Sequence, residues 1–119
     1  MASLGMNGPY VLSPDKINEV VTKKSAGNFA LGYIADIDFI VRYIGRADED
    51  LNAILQAWIF RKSDCIFFKF LCADSSRAAF EKECRNYHDF GENMGLSNEK
   101  HPQRKDDTDW KCLACSFYG

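Results

Sequence analysis

Between residues 27 and 51 the chain reads GNFALGYIADIDFIVRYIGRADEDL, and its apolar positions alternate. Phe29, Leu31 and Tyr33 share one side of a period-two pattern, and Phe39, Val41 and Tyr43 share one side of the next. Ala35-Asp36-Ile37-Asp38 between them is a polar-rich connection of hairpin length, so two strands joined by a tight turn are expected. Gly45 follows the second strand, and Asp48 stands where it can cap a helix beginning near Glu49. Leu51, Ile54, Leu55, Trp58 and Ile59 then recur at helical spacing, which turns one face of that helix toward the sheet. The run 65–72, CIFFKFLC, is strongly apolar and of strand length, suited to a central third strand. Asp74, Ser75 and Ser76 are cap candidates for a last helix from 77 to about 89, with Phe80, Cys84 and Tyr87 as its buried stripe.

The flanking segments are less regular. Residues 1–12 read as a tail leading into Ser13-Pro14, a helix-start signal, because serine accepts from orphan amides and proline is preorganised for the first turn. Ile17, Val20 and Val21 give that short helix an apolar stripe, and Lys23 and Lys24 close it. Two lysines there suit either a phosphate path or a solvated helix end with favourable dipole placement. From Gly91 onward the pattern breaks into glycines, His101-Pro102 and a polar run, and Trp110, Phe117 and Tyr118 are the residues able to dock such a tail. The expected fold is therefore α+β, a small three-stranded mixed or antiparallel sheet flanked by helices, with an irregular C-terminal tail. One domain is expected over 13–100, between an N-terminal tail at 1–12 and a C-terminal tail at 101–119.

Composition narrows the function classes. A chain of 119 residues has room for one core, and 46% hydrophobic residues fit a packed domain. Fifteen basic against 17 acidic residues, a net charge of −2, argue against a global nucleic-acid footprint and leave only a local basic groove. No apolar run reaches the roughly 18 to 20 residues that span a bilayer, and the N-terminus lacks a basic-then-hydrophobic leader, so a cytoplasmic location with no membrane partner is expected.

Five cysteines scattered over strand-like and helix-like segments do not resemble a secreted disulfide framework. Cys112 and Cys115 alone have the spacing that lets two sulfurs meet one tetrahedral zinc. His88 and His101 can complete such a site, with Cys84 as a further candidate, and a structural zinc would pin the tail to the last helix. Free thiols and a redox pair are the alternatives.

Tyr43-Ile44-Gly45 ends the second strand and Gly27-Asn28-Phe29 opens the first, within the order strand, strand, helix, strand, helix. Over residues 25–100 or so this resembles the GIY-YIG nuclease family, and a small subgroup of it with a Cys-x-x-Cys end. Glu83, preceded by Ala79 on the last helix, resembles the family's metal-binding glutamate, and Asn98 is similar to the asparagine that often follows. The resemblance implies metal-dependent hydrolysis of nucleic-acid phosphodiesters, in DNA or RNA, with one Mg²⁺ or Mn²⁺ held by Glu83 as a hard oxygen ligand. In that scheme Tyr43 handles a proton, and Asn98, Lys23 and Lys24 are candidate nucleic-acid contacts.

Two positions depart from the family pattern. Phe29 stands where the family has tyrosine, and the family's phosphate-holding arginine falls on Ile54. Loss of one preorganised donor of that kind typically costs about 10²- to 10³-fold in rate. Arg46 and Tyr33 are the nearest substitutes, Arg46 directly after Gly45 and Tyr33 on the strand side of Phe29. The resemblance thus leads to two readings, a GIY-YIG-type endonuclease and a catalytically inactive member that binds nucleic acid or protein. Glu83 itself also has an ordinary reading, as a carboxylate at the boundary of the buried stripe.

Overall fold

The computed structural model describes residues 5–59 and 66–90, together with Pro102, Thr108 and Trp110. The elements run β1 (Asn7–Val11), α1 (Pro14–Val20), β2 (Gly27–Ala35), β3 (Asp38–Ala47), α2 (Leu51–Trp58), β4 (Phe67–Cys72) and α3 (Ser76–Asp89). The expected α+β class with a helix-flanked sheet holds, but the sheet has four strands, in the order β1-β4-β2-β3, all paired antiparallel. The fourth strand comes from the segment expected to be an N-terminal tail. β1 pairs with β4 through Asn7↔Phe70, Tyr10↔Phe68 and Val11↔Phe67, with a register shift where Gly8-Pro9 lies. Proline has no N–H for a ladder and is tolerated on an edge strand at such an irregularity.

Local chemistry accounts for the helix starts. Ser13 accepts from the Lys16 amide at 3.2 Å and Ser75 from the Ala78 amide at 3.1 Å, each satisfying a donor that the first turn leaves orphaned. The cap of α2 is Asp50, which accepts from the Ala53 amide at 3.3 Å, and not the expected Asp48. Asp48 accepts instead from Arg46 Nε at 2.9 Å, so its carboxylate is turned back toward β3.

β2 and β3 form the expected hairpin around Asp36-Ile37, with Asp36 at a positive φ of 56°. Leu31 faces Tyr43 but Gly32 faces Val41, so Arg42 is an extra residue on β3. This bulge reverses the inside-outside alternation along the strand. Tyr43 packs with Phe29, Leu31, Phe68 and Phe70 on the face covered by α1 and α2, whereas Phe39 and Val41 pack with Ala30, Ile44 and Tyr87 on the face covered by α3. The expected grouping of Phe39, Val41 and Tyr43 on one side is thereby corrected. Gly32 is required at the bulge, because a β-carbon there would run into the Ile40 carbonyl.

The larger core lies between the sheet and the α1–α2 pair, built on Ile17, Val21, Phe29, Leu31, Leu51, Leu55 and Phe68. Phe29, Leu31 and Phe68 are at most 1% exposed, and side chains buried to this degree contribute about 1.5 to 3 kcal/mol each. Asn52 and Gln56 of α2 tie it to α1 through Asn18, at 3.1 and 3.3 Å. Among the described residues no helix is long and apolar enough to cross a membrane.

Candidate functional site

Alternation along β2 and β3 puts Asn28, Ala30, Ile44 and Arg46 on the α3 face, with Asn28 directly opposite Arg46. There α3 offers the residues of its inward stripe, Ala79, Phe80, Glu83 and Tyr87, all buried. Arg46 Nη1 donates to Glu83 Oε1 at 2.6 Å, its Nε donates to Asp48, and its guanidinium lies 5.1 Å from the centre of the Phe80 ring. Beside it Asn28 Nδ2 donates to the Ala79 carbonyl at 2.7 Å, tying the first turn of α3 to the middle of the sheet. Trp110 packs on Phe80 with ring centres 5.8 Å apart.

The electrostatics follow from burial. The Glu83 and Arg46 side chains are 10% and 11% exposed. Burial disfavours the Glu83 carboxylate more than the Arg46 guanidinium favours it, so its pKa is pushed up to about 7, with Asp48 adding to the rise. Burial alone would lower Arg46, but Glu83 and Asp48 outweigh it and raise the guanidinium above its ordinary value. The carboxylate expected to hold a divalent metal is thus already occupied by a cation of this chain. Among the described residues no group of three or more His, Cys, Asp and Glu side chains is arranged to hold a metal ion.

Tyr43 lies on the other face of the sheet from Glu83. Its ring stacks on Phe29 at 6.1 Å and meets Trp58 of α2 at 4.4 Å. Each member of Tyr43-Ile44-Gly45 has a packing role here. Tyr43 joins the aromatic cluster, Ile44 is fully buried against Tyr87, and Gly45 leaves room for the Phe29 ring.

The remaining expected site residues are dispersed. Tyr33 is 38% exposed on the hairpin beyond the bulge, not beside Arg46. Ile54, also 38% exposed, lines an open cavity of about 420 Å³ with Arg46, Asp48, Glu49 and Asp50. Lys23 and Lys24 line an adjoining cavity of about 270 Å³ with Thr22, Asp50 and Asn52. His88 is half-buried and sets its ring edge-on to Tyr87 at 5.3 Å. Asn98, His101, Cys112 and Cys115 lie outside the described residues.

Two participants, Asn28 and Trp58, were not singled out from sequence as site residues. For Asn28 the signal was present, a lone amide between Gly27 and Phe29 in an otherwise apolar strand. Trp58 read as an ordinary member of the apolar stripe of α2. No family model matches the chain, and no curated protein or solved structure is similar enough to stand as a relative.

Proposed function

We propose that this chain is a GIY-YIG-like domain that binds nucleic acid without cutting it. The observation that carries the reading is the commitment of Glu83 to Arg46, across the sheet from Tyr43. A one-metal hydrolysis needs its metal ligand and its proton-handling group within reach of the same phosphate. Here they are separated by the thickness of a sheet. Phe29, buried at 1% exposure, and Ile54 supply neither a hydroxyl nor a guanidinium.

Binding draws on a different surface. Lys23 and Lys24 border a cavity beside the start of α2, and the neighbouring cavity continues past Ala53 to Ile54. Two ammonium groups on one rim suit phosphate contact, while Asp48, Glu49 and Asp50 on the other rim limit the footprint to a few phosphates. Such a site binds weakly, with a shallow dependence on salt.

The test pairs a cleavage assay with a binding titration. Mixed DNA and RNA substrates incubated with Mg²⁺ or Mn²⁺ stay intact, and labelled oligonucleotides bind with an affinity that falls as salt rises. Replacing both Lys23 and Lys24 by alanine weakens binding and lowers the salt slope by about 1 to 2. Metal-dependent cutting that Glu83→Ala abolishes would instead establish the nuclease reading. Absence of any binding removes nucleic acid as the partner.

A further inference from the structure

Exposed apolar side chains gather at one end of the sheet. β4 accompanies β2 only as far as Gly32, so the rest of the β2–β3 hairpin projects past it, with Tyr33 and Ile34 exposed and Ile37, in the turn, 94% exposed. Val11 and Ile66 are exposed at the same end, because Val11 pairs with Phe67 and Phe67 with Gly32 in one row across the sheet. These are five of the six exposed large apolar side chains among the described residues. Apolar groups collected in this way mark a contact surface, whereas single ones carry no such meaning.

The turn adds charge to the tip. Asp36 and Asp38 flank Ile37, and no ion pair among the described residues involves either carboxylate. The tip is therefore a bulky aliphatic group held between two negative charges.

Its complement lies at the other end of the same strands. The sixth exposed apolar side chain, Ile54, lines the cavity of about 420 Å³, which shares Asp50 and Ala53 with the smaller cavity bordered by Lys23 and Lys24. Both lysines are exposed, and no ion pair among the described residues involves them. β2 begins just after Lys24 and runs nine residues to the turn, roughly 30 Å at about 3.3 Å per residue. The tip thus cannot reach the cavities of its own chain.

We propose that the chain associates head to tail with copies of itself, the hairpin tip of one copy resting on the start of α2 in the next. Ile37 covers Ala53 and Ile54, while Asp36 and Asp38 meet Lys23 and Lys24. Asp48, Glu49 and Asp50 on the opposite rim repel the carboxylates of the tip, so only one orientation brings unlike charges together. The two surfaces differ, which makes the contact heterologous and leaves each added copy able to receive another. Mean mass therefore rises steadily with concentration. A contact this small is weak and reversible.

Sedimentation velocity over a range of protein concentrations, without nucleic acid, tests this. The natural chain is compared with a tip variant, Asp36→Asn with Asp38→Lys, and a cavity variant, Lys23→Glu with Lys24→Glu. Asparagine is chosen at 36 because it tolerates the positive φ of 56° there. Each variant alone sets like charges together and is expected to associate about tenfold more weakly or worse. An equimolar mixture of the two recovers association, since the basic tip of one meets the acidic cavity of the other and the remaining pair is the natural one. Ile37→Ser weakens association as well, and rising salt weakens it in the natural chain. Circular dichroism confirms that the variants fold. A chain that is monomeric at every concentration overturns the proposal and leaves the tip to a different protein. Association that ignores the variants or salt, or a mixture that fails to recover, overturns it too. Lys23 and Lys24 also serve the nucleic-acid reading, which the oligonucleotide titration tests separately, so either result can fail without the other.

Discussion

The ring of Phe29 lies over Gly45, its direct partner across the β2–β3 ladder, so closely that a β-carbon at 45 would come within 2.8 Å of Phe29 Cε1. The glycine is required by a neighbour's bulk. Gly45→Ala is expected to cost about 1 to 3 kcal/mol in urea unfolding, as overpacking commonly does. The same change made in a Phe29→Leu background costs less, because the ring it collides with is gone. Equal costs in the two backgrounds would show that Gly45 answers to something other than Phe29.

Restoring the groups that the family resemblance asks for is a sharper test of function. Phe29→Tyr combined with Ile54→Arg is expected to leave the chain unable to nick plasmid DNA with Mg²⁺ or Mn²⁺, because Glu83 stays on the far face of the sheet. Phe29→Tyr alone also buries a hydroxyl at a position 1% exposed, at a cost of about 1 to 3 kcal/mol if it finds no partner. Metal-dependent nicking by the double variant contradicts the non-cutting reading.

Glu83 sets a pH dependence of stability with a definite sign. Its pKa rises on folding from an ordinary 4.5 to about 7, so over that interval the folded chain holds a proton that the unfolded chain has released. The contribution is complete below about pH 4.5 and is lost as pH climbs through about 7. Arg46 stays charged throughout. Melting temperatures measured from pH 5 to 8 are expected to fall in the natural chain and to fall less in Glu83→Gln. Parallel curves for the two would assign the dependence to other groups.

The zinc expected from the spacing of Cys112 and Cys115, with His88 and His101, has its own readout. Protein purified without chelator is expected to carry about one equivalent of zinc by elemental analysis, and stripping the metal lowers the melting temperature by several degrees. A metal-free protein with unchanged melting rules out the zinc and leaves free thiols or a redox pair.

Much of the scaffold was legible because its signals are local. Ser13 and Ser75 sit one residue before their helices, the turn at Asp36-Ile37 has hairpin length, and the stripe of Phe80, Cys84 and Tyr87 describes the buried side of α3. What escaped depends on distant partners. Asn7–Val11 is a strand because β4 lies beside it, and NGPYV by itself carries no alternating pattern. The bulge at Arg42 leaves no mark in a run that alternates cleanly on paper, yet it moves Tyr43 to the face opposite Phe39. That single extra residue is also why the site reads differently in space. Tyr43 and Glu83 are compatible as a list of residue types, and only strand parity reveals that the sheet lies between them.

β1 finds its partner more than sixty residues later in the chain, Asn7 opposite Phe70. During synthesis the first strand must therefore wait, unpaired, until β4 has been made and released. Closing so long a loop is slow compared with forming the β2–β3 hairpin, whose strands are adjacent in sequence. The order of assembly thus differs from the order of synthesis. The hairpin is expected to form first, β4 to dock against it, and β1, made before both, to complete the sheet.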